Sequence, residues 1–144
     1  MARSFWLKTF GMGARESRMP DDWRSVKVLT EHATSKRNSS MKKGDGIVYY
    51  AAGFGLLFAA GTVTSHPYFA PEDGEEDWPW RVDVSLDEES SLRFIHHGVS
   101  LDEASVDGRD LRRSIRQKSH IRLSENEYRS AIEALRRAVA GASR

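Results

Sequence analysis

The sequence predicts an α+β fold, a small β-barrel with flanking helices, and three observations carry that reading. The apolar stretch from Ile47 to Ser65 is split by Gly53-Phe54-Gly55 into two β-prone runs, the pattern of a hairpin. Trp80, Val82, Val84 and Leu86 alternate with Arg81, Asp83 and Ser85, so one face of that strand is buried and the other is wet. Ser124-Glu-Asn-Glu127 has the spacing of a capping box, in which the serine bonds a free first-turn amide and the glutamate reaches back. Tyr128, Ile132, Leu135 and Val139 follow at helical spacing, with charges on the opposite face.

The remaining elements follow in chain order. Ser4 to Thr9 reads as a first strand, stopped by Gly11 and Gly13. Residues 14–25 are polar around isolated Met19 and Trp23, a loop with a short helix after Pro20. Val26 to Leu29 fits either a short strand or the last turn of that helix. Glu31 to Ser40 has almost no apolar content and reads as a polar loop, whose side chains suit phosphate oxygens or base edges. Lys43-Gly44-Asp45-Gly46 is turn chemistry, and Ile47 to Ala51 is the strand it feeds. Period-2 geometry sends Tyr49 and Tyr50 to opposite faces, one into the core and the other outside or into a cleft.

The return strand, Leu56 to Ser65, carries Ala59, Ala60 and Gly61, small residues that permit the tight bends of a small barrel. Pro67 to Asp77 is an acidic, turn-rich loop. Leu92 to His96 is a further strand, Val99 to Asp110 a loop with a short helical turn, Asp110 to Lys118 helical, and Ile121 to Leu123 extended.

A chain of 144 residues fits one domain, spanning 1–144. That size buries roughly two thirds of the unfolded surface without covalent staples. With no cysteine, disulfides, thiolate catalysis and thiolate metal sites are excluded. A net charge of +1, from 22 basic and 21 acidic residues, is far from the excess of a protein that holds nucleic acid by its backbone alone. The charge is nevertheless segregated: residues 71–90 are strongly acidic, whereas Arg109, Arg112, Arg113, Arg116, Lys118 and Arg122 form a basic segment, a local field that overall neutrality conceals.

Arg3 and Lys8 interrupt any leader-like apolar run, and Ile47 to Val63 is glycine-broken and short for a membrane span. The expectation is a cytoplasmic protein with no membrane association. His96-His97 point to opposite sides if extended and bring no helical His or Glu spacing, so no metal site is expected. No nucleophile–base–orienter set or phosphate-binding loop is visible either, and no enzymatic activity or cofactor is expected.

Several blocks, in order, resemble one known family. They are Phe5-Trp6-Leu7; Met41-Lys-Lys-Gly-Asp45 with Ile47-Val-Tyr-Tyr50; Gly61-Thr-Val63; Trp78-Pro-Trp-Arg-Val82, with Trp80 where the family has tyrosine; and Gln117-Lys-Ser-His-Ile121 ahead of the capping box and Tyr128. This arrangement resembles the EVE domain, a PUA-like pseudo-β-barrel related to the YTH readers of methylated RNA. Residues 10–40 depart from the pattern.

The resemblance implies a PUA-like pseudo-β-barrel with flanking helices and a non-catalytic nucleic-acid-binding module that reads one extruded, modified base. Its partner would be RNA or DNA. Base-binding candidates are Trp6, Trp78, Trp80 and Tyr50, with Asn38, Ser39 and Ser40 before the central strand. Aromatic faces replace the stacking an extruded base has lost, although the same tryptophans would also serve as core. Backbone-binding candidates are Arg112, Arg113, Arg116, Lys118, Ser119 and His120, which position without reading sequence. A general RNA-binding accessory domain, or a domain for a small metabolite or an enzymatic reaction, is the alternative.

Overall fold

Strand propensity and alternation build one continuous sheet that joins the start of the chain to its end. The computed structural model describes residues 3–10, 20–25, 30–35, 37–70, 79–116 and 118–142. Among them, β1 (Phe5–Phe10), β2 (His32–Ser35), β3 (Gly46–Ala51), β4 (Leu56–Val63), β6 (Trp80–Leu86) and β8 (His120–Leu123) lie in the order β2-β6-β4-β3-β1-β8. Two short strands join off this path: β5 (Tyr68–Phe69) pairs with β6, and β7 (Val99–Ser100) with β4. β1 and β3 run parallel and the other pairs antiparallel. The hairpin expected over Ile47 to Ser65 is therefore observed as β3-β4, and β6 pairs with β4 on its other side.

The sheet has two buried faces, and this shapes the molecule. Trp6, Phe10, Ala33, Tyr49, Phe58, Val82 and Val84 belong to one cluster. Because strands from β2 to β1 all contribute to it, the sheet must curl around it into a half-barrel. On the outer face, Leu7, Val48, Tyr50, Leu57 and Leu111 form a second cluster. It is closed by helix α1 (Leu111–Ile115) and by α2 (Glu125–Ala142). The capping box of α2 is formed: Glu127 N donates to Ser124 Oγ at 3.0 Å, and Ser124 N to Glu127 Oε1 at 2.8 Å. Buried Glu127 also takes both Arg109 donors, at 2.7 and 3.2 Å.

Three expectations are corrected. The polar loop from Glu31 to Ser40 contains β2, because His32 to Ser35 is held on β6, and His32 Nδ1 lies 2.9 Å from Asp83 Oδ1. Tertiary pairing there overrides a composition poor in apolar residues. Leu92 to His96 is not a strand: Ile95–His97 is a 3-10 turn, fastened by Ile95 N to Asp21 O and His96 N to Asp21 Oδ1. Tyr49 and Tyr50 do face opposite ways, but both are buried, since the helical layer covers the face expected to be open. The alternatives at Val26 to Leu29, the break at Gly11 and Gly13, the start of the 14–25 loop and the acidic stretch from Pro71 to Trp78 lie outside the described residues.

Candidate functional site

At the start of β3, the turn Lys43–Gly46 uses Gly44 at φ +98°, a left-handed conformation that side chains avoid. It turns Asp45 inward, where it is 5% exposed. The Asp45 carboxylate accepts from Trp6 Nε1 at 2.9 Å, Lys42 N at 2.9 Å and Ser4 N at 3.1 Å. Asp45 is thus a clamp that fixes the plane of the Trp6 indole on the inner face. His120 on the neighbouring β8 meets that indole edge-on, with ring centroids 5.5 Å apart.

One residue pair further along the sheet, His120, Lys8 and Tyr49 stand in cross-strand register. Lys8 is 2% exposed; its Nζ donates to Thr9 O at 3.0 Å and to Ser119 Oγ at 3.3 Å, and lies 5.4 Å from the Phe10 ring centre. Ser119 Oγ in turn lies 3.0 Å from His120 Nδ1. Burial pulls the Lys8 ammonium down to about 7, since a charge loses its hydration there. Burial, and then the Lys8 charge, push the His120 imidazole down to about 4. The Tyr49 hydroxyl is buried without a hydrogen-bond partner among the described residues.

Trp80 shares the inner face by alternation with Val82 and Val84. It is half-buried, pairs with Ser35 across β2, and lies against the exposed Phe69 ring at 5.3 Å. The 37–42 loop leaves β2 beside it. Asn38 and Ser40 are exposed, while half-buried Ser39 accepts from Met41 N at 3.4 Å. Trp6 and Asp45 stand where β1 and β3 begin, Trp80 opens β6, and the 37–42 loop runs between β2 and the turn that carries Asp45. Tyr50 belongs to the outer cluster, so it cannot line a slot with Trp6. Trp78 lies outside the described residues.

The basic segment sits at the other end of β1. Ser119 O accepts from Thr9 N, and Arg112 approaches the β3–β4 turn at Gly55. Arg112 is tied to Asp102 and Ser100, both at 3.0 Å, whereas Arg113, Arg116 and Lys118 are exposed. Only Ser119 and His120 of this group join the Trp6 neighbourhood. Among the described residues no set of His, Asp and Glu is arranged to hold a metal, and no helix is long and apolar enough to cross a membrane.

No protein-family model matches the chain, and no curated protein matches it. Solved structures do. Human THYN1, in a complex with 5-methylcytosine-containing DNA, superposes with a TM-score of 0.61 at 13% identity, over 92% of this chain and 97% of that one. A hypothetical protein from Leishmania major gives 0.60 at 15% identity, over 99% and 98%. A protein from Agrobacterium tumefaciens gives 0.55 at 17% identity, over 92% of each chain.

The chain has the PUA-like fold. The resemblance read from the sequence blocks is borne out at the level of architecture. Lys8 and Tyr49 are not among the site candidates read from the sequence, where Tyr49 is placed only on one face of its strand. The available signal was a lysine at an inward position of a strand, between Trp6 and Phe10, where the binary pattern calls for an apolar side chain.

Proposed function

We propose that this chain is a non-catalytic nucleic-acid-binding module that holds one extruded, modified base against an aromatic wall. The observation that carries the proposal is the Asp45-clamped Trp6 indole on the inner face, with the polar heads of Ser119 and His120 beside it. A fixed π-face supplies stacking, and neighbouring polar groups supply hydrogen bonds to a base edge. The shared fold supports the reading, because human THYN1 in that fold is seen with 5-methylcytosine-containing DNA.

In this reading Trp6 is the wall, and Trp80 with Phe69 is a second platform for the base or its neighbour. Asn38, Ser39 and Ser40 border the slot, and Trp78 remains a base-binding candidate on the resemblance alone. Arg113, Arg116 and Lys118 hold backbone phosphates, whereas Arg112 is engaged by Asp102.

The test is titration of intrinsic tryptophan fluorescence with oligonucleotides identical except for one methylated base. Quenching with tighter binding of the methylated strand is expected. Trp80→Ala, at the half-buried first position of β6, should fold and weaken binding by roughly 1–3 kcal/mol. Equal affinity for methylated and plain strands in the parent would remove the modified-base reading.

A further inference from the structure

Tyr49 and Lys8 are polar where a barrel interior favours apolar side chains. Both lie on the inner face in one cross-strand row, Lys8 opposite Tyr49 and His120 opposite Lys8. Trp6 stands two residues back along the same strand, on the same side. Tyr49 is fully buried among Phe10, Trp23 and Phe58, and its hydroxyl has no hydrogen-bond partner among the described residues. A phenylalanine would fill that space without leaving a buried polar atom unmatched. The row reaches the surface at Ser119 and His120, which are half-buried.

We propose that Lys8 and Tyr49 are specificity-determining residues that read the hydrogen-bonding edge of the base stacked on Trp6. The inference rests on the base-reading function proposed above. A lysine ammonium is a donor only, whereas a tyrosine hydroxyl both donates and accepts. Such a pair suits an edge with neighbouring acceptors, as N3 and O2 provide in a cytosine-type base. With the ammonium at N3 and the Tyr49 hydroxyl at O2, the pair disfavours thymine, whose N3–H opposes the ammonium in that pose. An incoming acceptor would take the place of the Ser119 hydroxyl, the longer of the two Lys8 contacts given above.

The deciding comparison is between oligonucleotides carrying 5-methylcytosine or thymine at one position. Both bases present the same 5-methyl group to an aromatic wall and differ at the edge. The parent should prefer 5-methylcytosine by at least about fivefold, the discrimination expected of a good edge contact. Lys8→Met should reduce that preference to near unity while retaining the weaker affinity common to both strands. Tyr49→Phe, which removes only an oxygen, should lower it partially and serves as the reporter if Lys8→Met does not fold.

A parent that binds neither strand removes the base-reading function itself. A parent that binds both equally, or a preference unchanged in the folded variants, overturns the edge-reading role of this row and leaves base binding intact.

Discussion

Lys8 shows how one side chain ties stability to pH. Its ammonium titrates near 7 in the fold against 10.5 ordinarily. Between those values the unfolded chain binds more protons than the folded one, so stability rises as pH climbs from 7 towards 10.5. The rise should be on the order of a few kcal/mol. Denaturant midpoints at about pH 7 and about pH 10 should differ in the parent, and Lys8→Met should abolish the Lys8 share of that difference. His120 acts in the same direction lower down, because its imidazole is held near 4 against 6.5, so stability is gained as pH rises between those values. Trp6 is 7% exposed and serves both packing and the proposed slot. Trp6→Phe keeps an aromatic face but removes one donor from buried Asp45, a loss of about 1–3 kcal/mol in stability. Retention of most base affinity by this variant would show that the ring, not the indole N–H, makes the wall.

At the scale of elements, two junctions hold helix α2 in place. The first is its cap. Ser124→Ala removes the acceptor for Glu127 N, together with a hydroxyl that donates to Asp107, and should cost about 0.5–2 kcal/mol. Base binding should be unchanged, since α2 lies on the outer face. An unaltered melting midpoint would show that the cap contributes nothing. The second is the contact with β3. A Cβ on Gly46 would come within 2.7 Å of the Tyr128 ring, which itself stacks on Phe5 at 4.5 Å. Gly46→Ala must displace that stack and should destabilise by about 1–3 kcal/mol, measured by chemical denaturation. Strand β2 illustrates the reverse case, an element with little propensity of its own that exists because β6 offers it a partner.

For the whole molecule, the pairing of β1 with β8 binds the first strand to the last. We propose that residues 1–144 form one domain. Limited proteolysis should then yield a single protected core and thermal unfolding a single transition; two fragments that fold separately would contradict it. Charge placement governs the proposed interaction with nucleic acid. The exposed Arg113, Arg116 and Lys118 can neutralise only a few phosphates, each adding roughly −0.7 to −0.9 to the slope of log K against log salt. Reversing the charge of Arg113 and Arg116 should weaken all sequences alike and flatten that slope. A change in base preference instead would mean these side chains read bases.

Period and punctuation determined much of this protein without reference to its fold. Alternation at Trp80–Leu86, the glycine break inside Ile47–Ser65 and the Ser124–Glu127 box are local, because each depends on residues a few positions apart. The structure builds the hairpin, the cap and the strand, but the face of Trp80–Leu86 read as wet is buried at Arg81, which is 4% exposed, because neighbouring strands flank β6 on both sides there. The Trp6 and Asp45 blocks were legible as a resemblance, and the PUA-like architecture followed from them. What only tertiary structure decided were the pairings across long stretches of chain. These placed β2 on β6, made Asp45 a clamp for Trp6 rather than a mere turn former, and sent Tyr50 to the face under α2. They also set the basic segment at the opposite end of β1 from Asp45, and aligned His120, Lys8 and Tyr49 in one row. The physical reason is register: a strand's own sequence states which residues share a face, but the neighbour it pairs with decides which side chains that face meets.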